Sequence, residues 1–175
     1  KVWLCVSDAH KGLEAAIRNC LPGTTWKRCK VHFMRNILAY VPQKEKEAVG
    51  SRLKLSCKGR EENAARELKN GFCTEGEKKY PRACECLEEG FEDSIQFYAF
   101  GELDSRKISS TNTLERLNRE IRRRSSVVGI FPSTDSYIRL ITSYLLEYTE
   151  DWQTEKAYMN AGSIQSQKEI LFNAA

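Results

Sequence analysis

The 175-residue sequence is short of long apolar runs, of histidine and of net charge. No segment approaches the roughly 20 apolar residues that span a bilayer, and no secretory signal is visible at Lys1. We therefore expect no membrane partner. Only two histidines are present, which leaves few ligands for a zinc site. The 28 basic and 24 acidic residues give a net charge of only +4, so overall charge does not by itself indicate a nucleic-acid partner.

A regular disulfide framework is also lacking, because the seven cysteines are an odd number with scattered spacing. This favours a reduced, intracellular compartment. The length suits one domain, or one domain with an insertion. The absence of a starting Met and the immediate opening into an apolar run suggest that the chain is a piece of a longer protein.

The first third of the chain has the pattern of a strand, a helix and a strand. Residues 1–7 (KVWLCVS) form a short run of β-branched, aromatic and apolar residues, which predicts a buried strand. Residues 12–20 have helical periodicity, and Pro22-Gly23 ends that helix. Residues 24–33 (TTWKRCKVHF) alternate in part and predict a second strand. This is a βαβ unit, for which we expect a parallel, right-handed connection.

Helical patterns dominate the rest of the sequence. After Met34 we predict helices that start near Ile37 and cover residues 45–55, 61–68, 80–90 and 91–100, with breaks at Pro81, Gly90 and Gly101. A final amphipathic helix is predicted over residues 133–150, followed by a tail with a short helix near residues 165–172. The fold class is therefore α/β and mostly helical.

Residues 109–132 (SSTNTLERLNREIRRRSSVVGIFP) predict a basic amphipathic helix. Asn112 followed by Glu115 is typical of a helix start. An apolar stripe with helical spacing follows, made of Leu114, Leu117 and Ile121. The neighbouring stripe carries Glu115, Asn118, Arg119 and Arg122. One face can thus be buried while the adjacent face presents an acid, an amide and guanidinium groups.

Basic residues are concentrated in two segments, although the average charge is low. One segment contains Arg116, Arg119, Arg122, Arg123 and Arg124, and the other contains Lys27, Arg28, Lys30 and Arg35. Such clusters can neutralise phosphates. The alternative is that each is simply a solvated helix face.

Several segments resemble Mutator-type transposases of bacterial insertion sequences. They are VSDAHKGLEAAI, WKRCKVHFMRN, FEDSIQFYAF and TNTLERLNREIRRRSSVVGIFP, which occur in the family's order and cover most of residues 1–152. The resemblance implies a partial ribonuclease-H-like core, the C-terminal part of a catalytic domain formed by residues 1–36 and 107–152. It further implies an all-helical insertion at residues 37–106 and a C-terminal tail at residues 153–175.

Two acids gain a role from this resemblance. Asp8 matches the metal-binding Asp of the family motif, and Glu115 matches the last acid of an Asp-Asp-Glu set that binds Mg²⁺ or Mn²⁺. The first Asp of the set is not in this chain. The local alternatives are that Ser7 or Asp8 caps the following helix and that Glu115 completes a capping box. Glu120, five positions after Glu115, is a weaker candidate.

Residues for DNA contact are implied on both basic segments. Cys29 and His32 form the C-x-x-H that the family carries after its second strand, and Arg35 and Asn36 match its Arg-Asn pair. Arg119, Arg122, Arg123 and Arg124 are the other predicted DNA contacts. C-x-x-H could also be half a zinc site, or a buried Cys with a hydrogen-bonded His.

The implied function is a DDE transposase that cleaves DNA at element ends and transfers the strand to target DNA. We expect DNA as partner, a homo-oligomer, and a cytoplasmic, nucleoid-associated location. Because the first Asp is missing, this chain alone is expected to be inactive. The alternatives are a truncated, non-catalytic fragment that binds DNA or pairs with intact transposase, and an unrelated helical DNA-binding regulator.

Overall fold

Two short parallel strands start the chain. The structure is a computed structural model that describes residues 1–56, 61–150 and 158–173. Strand β1 (Leu4–Ser7) pairs with β2 (Thr25–Arg28), with Leu4 opposite Thr25 and Ser7 opposite Arg28. Helix α1 (Lys11–Cys20) connects them, and Gly23 takes a positive φ of 75° in the turn after it. The predicted parallel βαβ unit is confirmed.

The second strand is shorter than the sequence predicted. It ends at Arg28, and helix α2 (Lys30–Ala39) begins two residues later, so the prediction of a strand through Phe33 was wrong. The backbone N–H of Cys29 donates to Ser7 O at 2.7 Å, and then the chain turns into the helix. The physical reason is burial, because Phe33 and Ile37 lie one helical turn apart and are both buried in the core.

Four helices then build the main apolar core. Helix α2 packs against α3 (Lys46–Ser56) and α5 (Pro81–Ile95), and α4 (Glu62–Gly76) packs against both α3 and α5. Their shared cluster includes Phe33, Ile37, Val49, Leu53, Phe72, Leu87, Phe91 and Ile95. A 3₁₀ segment (Gln96–Phe100) and the short helix α6 (Ser105–Ile108) follow. The core thus runs from Phe33 on α2 to Ile95 at the end of α5.

Gly90 does not break a helix, contrary to the prediction. Helix α5 runs through it without interruption. A Cβ at this position would meet the Arg28 guanidinium and would lie 2.6 Å from Phe33 Cε2. The glycine therefore allows close approach of α5 to the end of β2 and to α2.

Residues 112–175 form a second unit, separate from residues 1–111. Its described helices are α7 (Asn112–Val128), α8 (Thr134–Glu150) and α9 (Ala161–Asn173). The predicted basic helix, the final amphipathic helix and the short helix in the tail are confirmed, although α9 is longer than predicted. Residues 151–157, where the sequence predicted a loss of periodicity, lie outside the described residues.

Helices α7 and α8 pack against each other through a turn at Gly129, which has a positive φ of 75°. Phe131 and Tyr137 make an edge-on ring contact at 5.2 Å between centroids. Near the start of α7, the Thr113 hydroxyl hydrogen-bonds the Tyr158 hydroxyl at 3.0 Å. Throughout the described part of the chain, no helix has both the length and the apolar character that crossing a membrane requires. The mostly helical α/β class is confirmed, and the domain boundaries proposed from the sequence stay a prediction.

Candidate functional site

Asp8 lies directly after β1, at the edge of the sheet where both parallel strands end. Its side chain is 54% exposed. Oδ1 accepts a hydrogen bond from the backbone N–H of Ala9 at 2.8 Å. The Asp8 carbonyl accepts from the Ser7 hydroxyl and from the backbone N–H of His10, both at 2.9 Å. A carboxylate at the carboxyl end of a parallel strand is in the position where α/β folds bind ligands.

The capping alternative for Asp8 is not what the structure shows. Helix α1 begins at Lys11, the residue in its cap position is His10, and no side chain donates or accepts a capping hydrogen bond there. Ser7 is buried and accepts a hydrogen bond from Trp26 Nε1 at 2.8 Å. The turn that carries Asp8 is thus tied to both strands, while its carboxylate remains accessible.

The structure brings His32 of the C-x-x-H motif next to Asp8. His32 lies in the first turn of α2, just past the end of β2, and its Nδ1 is 3.9 Å from Asp8 Oδ1. This separation is longer than a hydrogen bond. It arises because adjacent parallel strands end at the same edge, so residues that follow β1 and β2 become neighbours. An acid and an imidazole therefore share one end of the sheet.

Cys29, the other residue of the motif, is fully buried. Its Sγ accepts hydrogen bonds from both the backbone N–H and the hydroxyl of Thr111, each at 3.4 Å. This burial argues against the predicted DNA contact by the Cys29 side chain. It also fits poorly with half a zinc site. Among the described residues, no group of three or more His, Cys, Asp or Glu side chains is placed to hold a metal ion.

Two of the basic residues near β2 have structural contacts. Lys27 is fully buried, and its Nζ donates to the carbonyls of Arg28 and Ser109, each at 3.0 Å. The Arg28 guanidinium lies 4.6 Å from the centroid of the Phe33 ring. Neither arrangement leaves the cation directed into solvent, so the interpretation of Lys27 and Arg28 as phosphate contacts is not supported.

The Arg28 guanidinium also organises the polar groups around it. With the Asn36 amide oriented so that its oxygen accepts, Arg28 Nη2 donates to it at 3.1 Å, and the amide nitrogen donates to His32 O at 3.2 Å. Burial raises the pKa of the Asp93 carboxyl, and Glu14 raises it further, while nearby Arg28 opposes the shift. Arg35, one position before Asn36, is exposed. Of this basic segment, Arg35 retains an accessible charge.

Glu115 lies in the first turn of α7 and is half-buried. The helix begins at Asn112 itself, so Asn112 is a residue of the first turn and does not precede the helix. The weaker candidate, Glu120, accepts a hydrogen bond from Arg123 Nε at 3.0 Å. Glu120 is thus engaged in a local ion pair, and the assignment of the last acid to Glu115 stays a prediction.

The four arginines predicted to bind DNA differ in what they contact. Arg123 pairs with Glu120 at 3.0 Å. The Arg124 guanidinium lies 4.1 Å from the centroid of the buried Tyr144 ring and 3.7 Å from Glu147 on α8. Arg119 and Arg122 are exposed, and their guanidinium groups make no hydrogen bond or ion pair with any residue in the described ranges. These last two therefore differ from Arg123 and Arg124, whose guanidinium groups are engaged by neighbouring side chains.

Sequence reasoning did not identify the residues that hydrogen-bond to one another beneath this site. Ser109 and Thr111 bond Lys27 and Cys29 across a separation of more than 80 positions, and Trp26 bonds Ser7. Polar residues before a helix indicate only where the helix starts. Nothing in their spacing indicates which strand end accepts or donates to them.

Comparison with known proteins places the chain among transposases. The model of the Mutator family of transposases matches residues 1–155. The chain is 40% identical over 160 residues to the transposase for insertion sequence element IS256 in transposon Tn4001 of Staphylococcus aureus, covering 90% of this chain and 41% of that protein. It is 36% identical over 174 residues to the ISRM5 transposase of Rhizobium meliloti, covering 99% of this chain and 44% of that protein. It therefore spans less than half the length of these relatives.

Proposed function

Because the chain belongs to the Mutator family of transposases, we propose that it is the part of an insertion-sequence transposase that holds two of three catalytic acids. The family predicted from the sequence motifs is confirmed. The proposed reaction is cleavage of DNA at the element ends followed by joining of the free 3′-OH to target DNA. The observation that carries this assignment is the accessible carboxylate of Asp8 at the shared end of two parallel strands.

The donor set fits a hard divalent cation such as Mg²⁺ or Mn²⁺. Mg²⁺ prefers a few carboxylates together with water and substrate phosphate, and Asp8 offers an exposed oxygen ligand. By the family assignment, Asp8 and Glu115 are the proposed metal ligands of this chain, and a third acid belongs to the rest of the transposase. When bound, such ions activate the attacking oxygen and stabilise the leaving oxygen of a phosphoryl transfer. A ribonuclease-H-like core is the proposed setting, supported by the parallel βαβ unit.

His32 has a proposed role beside Asp8. Its ring lies near enough to Asp8 Oδ1 to hold the carboxylate in orientation after a small side-chain rotation. We also propose that the ring donates a hydrogen bond to a DNA phosphate that approaches the same edge.

A strand-transfer assay tests the catalytic assignment. The 175-residue chain alone, incubated with Mg²⁺ or Mn²⁺ and DNA of the element end, is expected to give no cleaved or joined product. The complete transposase is expected to give product and to lose it in the Asp8→Asn variant, which keeps the size of the side chain and removes its charge. Metal-dependent joining by the isolated chain would overturn the proposal that a third acid is required. An active Asp8→Asn variant would remove Asp8 from the site.

Arg119 and Arg122 are the proposed phosphate contacts of α7. Each neutralised phosphate adds about 0.9 to the slope of log K against log salt concentration. We therefore expect Arg119→Ala and Arg122→Ala each to reduce that slope by about one on non-specific duplex DNA. The matched control is Arg106→Ala, an exposed arginine whose guanidinium is held by Asp104 at 2.9 Å. An unchanged slope in both helix variants would contradict the assignment.

A further inference from the structure

The turn between helices α7 and α8 carries a cluster of exposed apolar side chains. Val127 is 82% exposed, Val128 is 48% exposed and Ile130 is 91% exposed. Single exposed apolar residues are common on protein surfaces, whereas contiguous apolar patches rimmed by polar residues mark binding sites. We refer to Val127, Val128 and Ile130 as the hairpin tip. The residues around the hairpin tip should therefore indicate what it binds.

The hairpin tip is held by hydrogen bonds on both sides of the turn. Gly129 takes a positive φ of 75°, and the Ile130 backbone N–H donates to Val128 O at 3.0 Å. At the start of α8, the backbone N–H groups of Ser133 and Ser136 each donate to the hydroxyl of the other, at 3.3 and 3.2 Å. The exposed Ile130 side chain is thus presented to solvent by a structured turn.

The sequence around the hairpin tip carries positive charge only. Residues 121–134 contain three arginines and no acidic residue. Of the acids that flank this stretch, Glu120 is paired with Arg123. The Arg122 side chain is exposed. A polyanion can approach such a surface without repulsion from carboxylates, and the arginines can neutralise its phosphates. This charge complementarity favours nucleic acid over an apolar protein surface as the partner of the hairpin tip.

We propose that the hairpin tip is a wedge that inserts Ile130 between two base pairs of the bound DNA and kinks the duplex. The inference rests on the proposed function, which makes DNA the substrate. Apolar side chains next to cations that hold the phosphates are a known means of unstacking a base step. Arg119 and Arg122 would hold the backbone, and insertion removes the apolar surface of the hairpin tip from water.

Helix α7 sets how far the wedge lies from the proposed metal ligand. Val127 follows Glu115 by twelve positions in the same helix, which at 1.5 Å per residue is about 18 Å. One strand of DNA advances about 3.4 Å per base. If Glu115 lies at the reacting phosphate and the duplex follows α7, the opened base step is about five base pairs from the cleaved bond. A step more than about ten base pairs away, or about 34 Å, is beyond the reach of this helix.

The fluorescence of 2-aminopurine tests insertion without reference to catalysis. This base analogue is quenched while it is stacked and brightens when an adjacent step opens. Duplexes of the element end carry it at one position at a time, and each is saturated with the complete transposase in a chelator, so that no strand is cut. The wild type is expected to raise the fluorescence about threefold or more at adjacent positions about five base pairs from the cleaved bond. Ile130→Ser is expected to abolish most of that increase.

Matched variants separate the wedge from general effects. Leu146→Ser is the control, because Leu146 is a 63% exposed apolar residue near the other end of α8 and should leave the fluorescence unchanged. Ile130→Met keeps an apolar side chain and should retain the increase. Arg122→Ala should weaken binding but leave the fluorescence at saturation unchanged, since it removes a phosphate contact. Far-UV circular dichroism should show Ile130→Ser to be folded, because the side chain is almost fully exposed.

Three results would overturn the wedge. The first is an increase that Ile130→Ser leaves unchanged or that Leu146→Ser lowers equally. The second is an Ile130-dependent increase found only more than about ten base pairs from the cleaved bond. The third is an Ile130→Ser variant that loses self-association in sedimentation experiments while the fluorescence stays the same, because the hairpin tip would then be covered by a second copy of the chain.

The wedge and the proposed function fail in different ways. If Asp8→Asn stays active, the catalytic assignment is lost, and an Ile130-dependent fluorescence increase still supports the wedge. If joining requires Asp8 but no position brightens, the wedge is lost and the proposed function stands.

Discussion

Replacing Gly90 with alanine is expected to destabilise the first unit, although alanine is the better helix former. The exchange gains about 1 kcal/mol of helix propensity. Against this, the new Cβ would meet the Arg28 guanidinium and lie 2.6 Å from Phe33 Cε2. The guanidinium is the end of a flexible side chain and can shift, but the Phe33 ring is buried in the core and cannot simply move aside. Such overpacking costs about 1–3 kcal/mol.

The net change in stability is the gain in helix propensity less the cost of overpacking. Because the clash is with a buried core ring, we place the packing cost in the upper part of its range and expect a net loss of about 1–2 kcal/mol. Gly71→Ala is the matched control, since Gly71 lies within α4 and no atom lies within 4 Å of a Cβ added there. That variant should be more stable than the wild type by up to about 1 kcal/mol. The same substitution thus has opposite signs at the two positions.

Urea unfolding measures both variants. Trp3 and Trp26 lie in the first unit, so their fluorescence in a Trp152→Phe background reports on that unit alone. With an unchanged dependence on urea, the unfolding midpoint should fall for Gly90→Ala and rise for Gly71→Ala. The reasoning is refuted if Gly90→Ala is as stable as the wild type, because the close approach of α5 would then not be rigid.

Three further predictions concern charge and sheet pairing. Burial raises the pKa of the Cys73 thiol from 9.0 to about 11. The protonated thiol therefore stabilises the fold below about pH 9, and this contribution is lost as the pH rises towards about 11. Cys73→Ser should accordingly show a smaller fall in Tm across that pH window than the wild type. Arg124→Ala removes the cation over Tyr144 and should destabilise the α7–α8 pair by about 0.5–1 kcal/mol, whereas thermal unfolding of Arg122→Ala should be unchanged. In the described residues β1 pairs with β2 alone, so its other edge should promote self-association in sedimentation experiments; a monomer at high concentration would contradict this.

The predicted elements that were confirmed are those with strong local signals. The run of apolar residues before Asp8 and the Pro22-Gly23 stop define the first strand and helix. A short connection with a helix between two strands leaves a parallel pair as the expected arrangement. The position of Asp8 at a strand end follows from these local features, and the proximity of His32 follows from the parallel pairing.

The errors occurred where a residue's role depends on a distant neighbour. Glycine inside a helical pattern predicts a break when only local propensity is considered. At Gly90 the deciding factor is the close approach of Arg28 and Phe33, which are about 60 positions away in the chain. Partial alternation likewise extended the second strand to Phe33, whereas burial against α5 selects a helix from Lys30.

Lys27 has the largest consequence for function, because its charge suggested DNA while its ammonium is buried and bonded to the carbonyls of Arg28 and Ser109. Arg28 is likewise engaged, through Phe33 and Asn36. Of the four cations in the earlier basic segment, Lys27 is therefore buried and Arg28 is half-buried and engaged, whereas Arg119 and Arg122 on α7 remain exposed. Since only accessible cations release counterions from DNA, the salt dependence of binding should be governed mainly by α7, the helix that also carries Glu115.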